Sequence, residues 1–313
     1  MKLVFDDPDL DGQLQRTVAK DSVGMANAGE CLAIAANISP GDTSTWYPAF
    51  AGAAERLRTT ANRAAGRGHR VSARECYLRA CEYYRNAFFY ERADLDNPKL
   101  LAAYTSHRAC FRAALPLLEF PIEVVEVRFA EATLTGYFAR PDGSGRSRPT
   151  VIMPGGYDGT AEEGYPTIVA GVQRGYNVFC FDGPGQGAVL YEQRIVMRPD
   201  WEIVLPPVVD QIAGAGPMRT PIASSSSAVA LVATWRRARL ATSIALQRWS
   251  SIPGSMTSAQ LSTSGCPTNW FGNWKTILPR QTSPSRSCSA TSGIGAYSCR
   301  AWPRTGRKRS GNI

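Results

Sequence analysis

Apolar residues recur at steps of three and four between residues 20 and 118, and this spacing predicts amphipathic helices. One apolar stripe comprises Tyr77, Cys81, Tyr84 and Phe88, and the charged residues on the other faces are Glu75, Arg79, Glu82 and Arg85. Ser72 is placed to cap this helix, which is expected to run through Phe89. A second stripe follows Pro98 and comprises Leu101, Tyr104, Phe111 and Leu115. Residues 1–118 are therefore predicted to form a helical N-terminal or lid domain.

The hydrophobic period changes at Pro121, after which short apolar runs alternate with turns. Strands are expected over residues 122–127, 132–139, 149–153 and 176–181. Helices are expected over residues 161–174 and 201–212, the second of them interrupted by Pro206 and Pro207. The short apolar runs suit buried parallel strands. The order strand, strand, strand, helix, strand, helix predicts an α/β sheet.

This order ends near residue 211, and the charge of the chain changes at the same place. All 26 acidic residues lie in residues 1–210, together with 22 of the 35 lysines and arginines, so this part carries a net charge of −4. The remaining 103 residues contain 13 Lys and Arg, 18 Ser and no Asp, Glu or His. A short helix is predicted over residues 228–247, and the rest of 213–313 is expected to be an irregular basic tail. Because the first 210 residues are slightly acidic, the overall charge of +9 does not predict a nucleic-acid partner.

The composition also limits the class of protein. No run of 18 apolar residues is present, so no transmembrane helix and no membrane partner are expected. Asp6 and Asp7 stand where a signal peptide would need an apolar region. The eight cysteines show neither C-x-x-C nor Cys/His metal spacing, which favours buried free thiols and predicts no metal or cofactor site. A cytoplasmic protein is therefore expected, and the sequence does not indicate its oligomeric state.

Two glycine-rich segments come directly after predicted strands. The first is Pro154-Gly155-Gly156-Tyr157-Asp158-Gly159, and the second is Asp182-Gly183-Pro184-Gly185-Gln186-Gly187. Such turns expose backbone N–H groups, since glycine lets another molecule approach the main chain without a clash at Cβ. The second segment lacks the G-x-G-x-x-G spacing of a dinucleotide-binding loop and contains a proline, so a Rossmann-type site is not favoured. The alternative that both segments are only tight strand-to-helix turns stays open.

With these motifs, the stretch 120–210 and the helical region before it resemble the α/β-hydrolase superfamily. The resemblance is closest to members with an N-terminal helical domain, such as the FrsA-like esterases and the pseudooxynicotine-type C–C hydrolases. It implies that residues 119–212 are the N-terminal half of an α/β-hydrolase core. It also implies that the backbone amides of Gly156 or Tyr157 are oxyanion-hole donors for a small-molecule carbonyl substrate. The glycines expected to shape the two loops are Gly155, Gly183, Gly185 and Gly187.

The catalytic parts that the resemblance requires next are missing from this chain. The family carries its nucleophile in G-x-S-x-G after a fifth strand, followed by an acid and then a histidine. The chain has no G-x-S-x-G and no carboxylate side chain after Asp210. Its two histidines, His69 and His107, lie in the helical region, where both are expected to be structural. No residue is therefore assigned as catalytic, and the chain as written is predicted to be inactive.

A shifted reading frame would account for these losses. By the genetic code, the segment from Ser224 to Trp235 can read Ile-Val-Leu-Val-Gly-Arg-Ser-Phe-Gly-Gly-Tyr-Leu in another frame. This string is an apolar strand that runs into the missing motif. The same hypothesis explains why the tail lacks acids and is rich in serine and arginine. The alternative is a genuine tail on a non-catalytic binding protein, in which residues 20–118 dock a partner and Arg300 to Arg309 contact nucleic acid or acidic surfaces.

Overall fold

The computed structural model describes residues 2–146 and 148–212, together with the backbone of residues 229–231. Within these ranges, five α-helices come before the sheet: α1 (Pro8–Val18), α2 (Ala28–Ala35), α3 (Trp46–Gly66), α4 (Arg70–Ala87) and α5 (Pro98–Ala114). The predicted helical region ahead of the sheet is therefore confirmed.

Helices α1 and α5 begin at side chains that accept hydrogen bonds from the first turn. Asp7 accepts from the N–H groups of Asp9 and Leu10. Asn97 accepts from the N–H of Lys99. In both helices a proline follows the capping residue, where its missing N–H is not needed. Capping residues visible in the sequence therefore set where these two helices begin.

The prediction that Ser72 caps α4 is wrong. The chain turns at Gly68 with a φ of +75°, so the helix begins at Arg70 and Ser72 lies in its first turn. The helix ends at Ala87, and a short 3₁₀ turn continues from there. All four members of the predicted apolar stripe are buried: Tyr77, Cys81, Tyr84 and Phe88. The helical period was thus predicted correctly, whereas the helix starts two residues before Ser72 because of the glycine turn.

The sheet has the strand order β1-β2-β4-β3-β5. Its strands are β1 (Ile122–Phe129), β2 (Ala132–Ala139), β3 (Thr150–Pro154), β4 (Asn177–Phe181) and β5 (Val229–Leu231). The pairs β1–β2 and β2–β4 are antiparallel, and β3 is parallel to both β4 and β5. The predicted partial α/β sheet is confirmed.

Within residues 213–313, the structure describes the backbone of strand β5. Its backbone pairs with β3, with Val229 opposite Thr150 and Leu231 opposite Ile152. At these residues the helix predicted over 228–247 is wrong, because the backbone extends the sheet instead. The remainder of that helix, the basic tail, Arg300 to Arg309 and the motif of the shifted frame lie outside the described residues.

Three further helices pack around the sheet: α6 (Tyr165–Gln173), α7 (Gly187–Tyr191) and α8 (Leu205–Asp210). The single helix predicted over 161–174 is divided, because a 3₁₀ turn at Ala161–Gly164 comes first and Pro166 lies in the first turn of α6. Pro206 and Pro207 start α8 rather than interrupt it, since the first turn of a helix does not need their N–H groups. The short helix α7 was not predicted.

Alternate residues of β2 and β4 face opposite sides of the sheet. On one side, Tyr137 and Cys180 pack in the same apolar core as the N-terminal helices. On the other side, Phe138, Phe179 and Phe181 pack with the apolar residues of α8. The rings of Phe179 and Phe181 are nearly parallel, with centroids 5.5 Å apart. The sheet is therefore covered on both faces, as its apolar strands require.

Five cysteines lie in the described ranges, and all are buried free thiols: Cys31, Cys76, Cys81, Cys110 and Cys180. Among the helices described, no segment combines the length and the apolar character that a membrane crossing requires.

Asp11 anchors the N-terminal segment. Its buried carboxylate accepts hydrogen bonds from the backbone N–H groups of Leu3, Val4 and Phe5. Burial raises the pKa of Asp11, but these bonds and one from Gln15 together lower it to about 2, below its usual value of 3.8. Because the pKa is depressed in the folded state, the contribution to stability is present above the usual pKa and is lost as the pH falls toward 2.

We therefore expect acid to destabilise the wild-type protein more than the Asp11→Asn variant. The difference between them should change by about 1 kcal/mol or more between neutral pH and pH ~2, measured by urea denaturation. Parallel pH profiles for the two proteins would contradict this role of Asp11.

Candidate active site

The two glycine-rich loops lie side by side at the carboxyl ends of the parallel strands β3 and β4. They are called here the β3 loop (residues 155–160) and the β4 loop (residues 182–187). The N–H of Gly155 extends the ladder between the strands by donating to the carbonyl oxygen of Phe181 at 3.3 Å. In open α/β sheets, ligands bind at this edge. The β3 loop thus occupies the position at which oxyanion donors are expected.

The side chain of Gln186 joins the two loops. Its Nε2 donates hydrogen bonds to the carbonyl oxygens of Gly155 at 2.6 Å and Gly156 at 3.1 Å. Its Oε1 accepts a hydrogen bond from the N–H of Gly183 at 3.0 Å. Gln186 is buried, and these backbone groups satisfy both the oxygen and the NH₂ group of its amide. One side chain therefore ties the conformation of the β3 loop to that of the β4 loop.

The glycines of the β4 loop are required by packing. Gly187 has a φ of +33°, and a Cβ at this position would overlap the carboxylate of Asp182. Gly185 has a φ of +81°, and a Cβ there would come within 2.5 Å of the backbone of a neighbouring segment. A Cβ at Gly183 would overlap the indole ring of Trp201. Close approach and left-handed backbone account for all three glycines without a ligand.

Gly156 in the β3 loop differs from them. Its φ lies outside the left-handed region, and the nearest atom to a Cβ built there is Asp158 Oδ1 at 3.8 Å, an ordinary contact. Its N–H makes no hydrogen bond to the described part of the chain. The neighbouring Tyr157 side chain is 69% exposed. Packing among the described residues therefore gives no reason for a glycine at 156, whereas a bound oxygen approaching the main chain would give one.

A buried carboxylate, Asp182, organises the chain after both strands. Its Oδ1 accepts from the N–H of Ala161 at 2.7 Å, and its Oδ2 accepts from the N–H of Ala188 at 2.9 Å. These N–H groups belong to the first turns of the helical segments that follow the two loops, where a carboxylate is favourable. Burial, and then the charge of Glu162, raise the pKa of Asp182 well above its usual value.

His107 supports the β3 loop from the helical region. Its Nδ1 lies 2.8 Å from the carbonyl oxygen of Cys81, and its Nε2 lies 3.0 Å from Oγ1 of Thr160, the last residue of the loop. The carboxylate of Glu162 lies 3.3 Å from Nε2. Burial raises the pKa of Glu162, but His107, Tyr137 and a nearby arginine together lower it to about 2. The ring of His107 is fully buried, so these contacts give it a structural role.

Cys81 and His107 do not form a nucleophile and base. The Sγ of Cys81 lies 3.2 Å from Nδ1 of His107, a distance that would suit such a pair. Both residues are fully buried, and burial is the main cause that raises the pKa of the Cys81 thiol well above its usual value. The thiol therefore stays protonated and inaccessible. The other histidine, His69, is exposed directly before α4.

A cluster of buried charges, which the sequence did not predict, connects α1 and α4 to the segment after the β3 loop. Glu82 lies at its centre, with Lys20 Nζ at 2.5 Å and Arg85 Nη2 at 2.6 Å. Lys20 Nζ also lies 2.8 Å from Oε1 of Glu163. Glu82 and Arg85 were expected on the polar faces of α4, yet both are fully buried. The sequence feature that could have indicated this burial is the spacing of Glu82 and Arg85, an oppositely charged pair three residues apart in a helix rich in aromatic residues.

Arg16 extends this cluster to the β3 loop itself. Its Nη1 lies 2.6 Å from Oδ2 of Asp158, and its Nη2 lies 2.7 Å from Oε2 of Glu163. Burial raises the pKa of Glu163, but the charges of Arg16 and Lys20 together lower it well below its usual value, so its carboxylate stays ionised. The helical region thus holds the β3 loop through charge pairs, while Gln186 holds it through the main chain.

A cavity of about 550 Å³ lies among α2, α3 and α4. Its lining includes Glu30, Ile34, Arg56 and Leu57 and shares no residue with either loop. Over the two long described ranges, no group of three or more His, Cys, Asp or Glu side chains is arranged to hold a metal ion.

No protein-family model matches the chain. The chain is 37% identical over 214 residues to the hydrolase acrC of Aspergillus aculeatus, covering 63% of this chain and 50% of that protein. It is 33% identical over 215 residues to the α/β hydrolase gkaG of Penicillium citrinum, covering 67% and 50%. It is 36% identical over 190 residues to the 20-hydroxy-prefusarin hydrolase FUS2 of Gibberella moniliformis, covering 59% and 45%. The chain therefore spans about half the length of the curated relatives it matches.

Among solved structures, the chain is similar to the crystal structure of the 2,6-dihydroxy-pseudo-oxynicotine hydrolase. The TM-score is 0.55 at 22% sequence identity, over 69% of this chain and 57% of that chain. At this identity the likeness shows a shared fold. It agrees with the relatives named as hydrolases and with the two loop motifs from which the resemblance was drawn. The chain, with its helical N-terminal region and partial sheet, therefore has a partial α/β-hydrolase fold and is similar in sequence to relatives named as hydrolases.

Proposed function

We propose that the described residues form the oxyanion-binding half of a serine-hydrolase site. In the parent enzyme this site would act on an ester, an amide or a C–C bond next to a carbonyl. The observation that carries the proposal is the N–H of Gly156, which has no acceptor among the described residues and lies at the carboxyl edge of the sheet. A preorganised main-chain donor at this position would stabilise the negative oxygen that forms when a nucleophile attacks a carbonyl carbon.

The rest of that reaction needs groups that these 313 residues do not supply. A serine must lose its proton to a histidine as it attacks, and an acid must orient that histidine. The sequence contains no G-x-S-x-G, and its two histidines are the exposed His69 and the enclosed His107. We therefore propose that the chain as written is a hydrolase scaffold without turnover.

The first test is acylation by an activated ester. We expect the 313-residue chain to release no burst of p-nitrophenol from p-nitrophenyl butyrate and to show no label from a fluorophosphonate, because it lacks an activated serine. A chain whose frame is corrected near codon 220 should instead release a burst approaching about one equivalent. A stoichiometric burst from the uncorrected chain would contradict the proposed inactivity.

The coding DNA decides whether that correction is real. Sequencing from codon 205 to codon 240 should reveal a single-base change that restores Gly-Arg-Ser-Phe-Gly-Gly, with Asp and His codons downstream. If the DNA is confirmed as it stands and the other frame is closed by stop codons, the frameshift hypothesis is wrong.

A further inference from the structure

We infer that Gln186 is a positioning residue, which orients the peptide units of the β3 loop so that their N–H groups face the site; this rests on the oxyanion function proposed above. The two hydrogen bonds that its Nε2 donates go to consecutive carbonyl oxygens, those of Gly155 and Gly156. The arrangement therefore also constrains the amides attached to those carbonyls.

The constraint follows from the planar trans peptide, in which the N–H points opposite to the C=O. The carbonyl of Gly155 shares its peptide unit with the N–H of Gly156, and the carbonyl of Gly156 shares its unit with the N–H of Tyr157. Because both carbonyl oxygens point at Gln186 Nε2, both N–H groups point away from Gln186. Two successive N–H groups on one side of the chain form a concave anion-binding nest.

Other contacts keep the loop from rotating out of this arrangement. The N–H of Gly159 donates to the same Gly156 carbonyl at 3.2 Å, which closes a turn. The side chain of Gln186 is itself fixed, because its Oε1 accepts a hydrogen bond from the N–H of Gly183 and the residue is buried. Another rotamer would lose this hydrogen bond. The side chain is thus held by the β4 loop and in turn holds the β3 loop.

A glutamine fits this role where a glutamate does not. The position needs an NH₂ group that donates to two carbonyls and an oxygen that accepts from one N–H. Gln186→Glu keeps the shape and the acceptor but places a carboxylate oxygen against the carbonyls of Gly155 and Gly156. The expected result is a rotated β3 loop in a folded protein.

Gln193 offers a matched control. Its side-chain amide also both accepts and donates a hydrogen bond with the main chain. Its Oε1 accepts from the N–H of Thr133 at 2.8 Å, and its Nε2 donates to the carbonyl oxygen of Thr133 at 2.7 Å. It contacts β2 and not the β3 loop. Gln193→Glu therefore imposes the same chemical change and a similar local loss without the proposed effect on Gly156 and Tyr157.

The experiment uses NMR on the full ²H,¹⁵N-labelled chain. Residual dipolar couplings report the directions of the Gly156 and Tyr157 N–H bonds, and titration with sodium acetate, against sodium chloride, reports binding of a carboxylate oxygen. We expect wild type and Gln193→Glu to give the same couplings and the same acetate response at these two amides. Gln186→Glu should change both couplings and weaken the acetate response roughly threefold or more, as the loss of a neutral hydrogen bond would.

The outcomes separate this inference from the proposed function. Unchanged couplings in Gln186→Glu, or changed couplings with an undiminished acetate response, would overturn the positioning role. Changed couplings in Gln186→Glu with no acetate response in wild type would support the orientation by Gln186 and contradict the oxyanion function. If Gln186→Glu fails to fold, the uncharged Gln186→Met removes the two bonds to Gly155 and Gly156, and also the one from Gly183, and is judged by the same criteria.

Discussion

Replacing Glu82 with alanine is expected to lower the free energy of unfolding by about 3 kcal/mol, because it leaves the two buried positive charges of Lys20 and Arg85 with Glu163 as their remaining carboxylate partner. Glu82 is fully buried and accepts hydrogen bonds from Lys20 at 2.5 Å and from Arg85 at 2.6 Å. Burial raises the pKa of Glu82, but the charges of Arg85 and Lys20 together lower it, so the carboxylate stays ionised in the fold. The measurement is urea denaturation, with the midpoint and the slope compared with wild type.

Asp96→Ala is the control for this prediction. Asp96 also pairs with an arginine, Arg194 at 2.7 Å, but its side chain is 87% exposed. Water screens such a pair, so its loss should cost less than about 1 kcal/mol. A similar small effect for Glu82→Ala would mean that the charge cluster is hydrated and does not hold α1 and α4 to the segment after the β3 loop.

Gly187→Ala is expected to destabilise the protein by about 3 kcal/mol or more, whereas Gly156→Ala should change the stability by less than about 0.5 kcal/mol. At Gly187, a Cβ would overlap the carboxylate of Asp182 on a backbone with a φ of +33°. Asp182 cannot move aside, since its two oxygens accept from Ala161 and Ala188. At Gly156 a Cβ meets only an ordinary contact at 3.8 Å.

The same pair of variants separates the two kinds of glycine in the loops. Urea denaturation of both proteins measures the difference directly, and the amide spectrum shows whether Gly156→Ala keeps the native fold. Equal losses of stability would mean that Gly156 is also a packing glycine. Its place in the proposed oxyanion site would then lose the feature that distinguishes it from Gly183, Gly185 and Gly187.

Local pattern was enough to predict most of the sheet. The strand expected over 132–139 is observed at Ala132–Ala139, because residues that alternate between two faces leave no freedom to shift the register by one. The helix prediction was wrong where a proline lies in the first turn of a helix and not in its interior. Pro206 was taken as an interruption of a longer helix, whereas the observed helix begins beside it.

The charge cluster was not predictable in the same way. A helical stripe assigns Glu82 and Arg85 to polar faces, and such faces are usually exposed. Whether they are exposed depends on what packs there, and α4 is enclosed by other helices. The partners that make the burial tolerable are distant along the chain, with Lys20 62 residues before Glu82.

The sequence by itself determined the fold class of this protein: a helical N-terminal region, then strands that alternate with helices, with two glycine-rich loops at the ends of parallel strands. Those features depend on neighbours a few residues apart, and so they can be recognised from spacing and composition. Only the tertiary structure decided that packing requires a glycine at 183, 185 and 187 but not at 156, and that Gln186 holds the β3 loop. Gln186 reaches Gly155 across 31 residues of chain, and a hydrogen bond of that span exists only once the strands have paired.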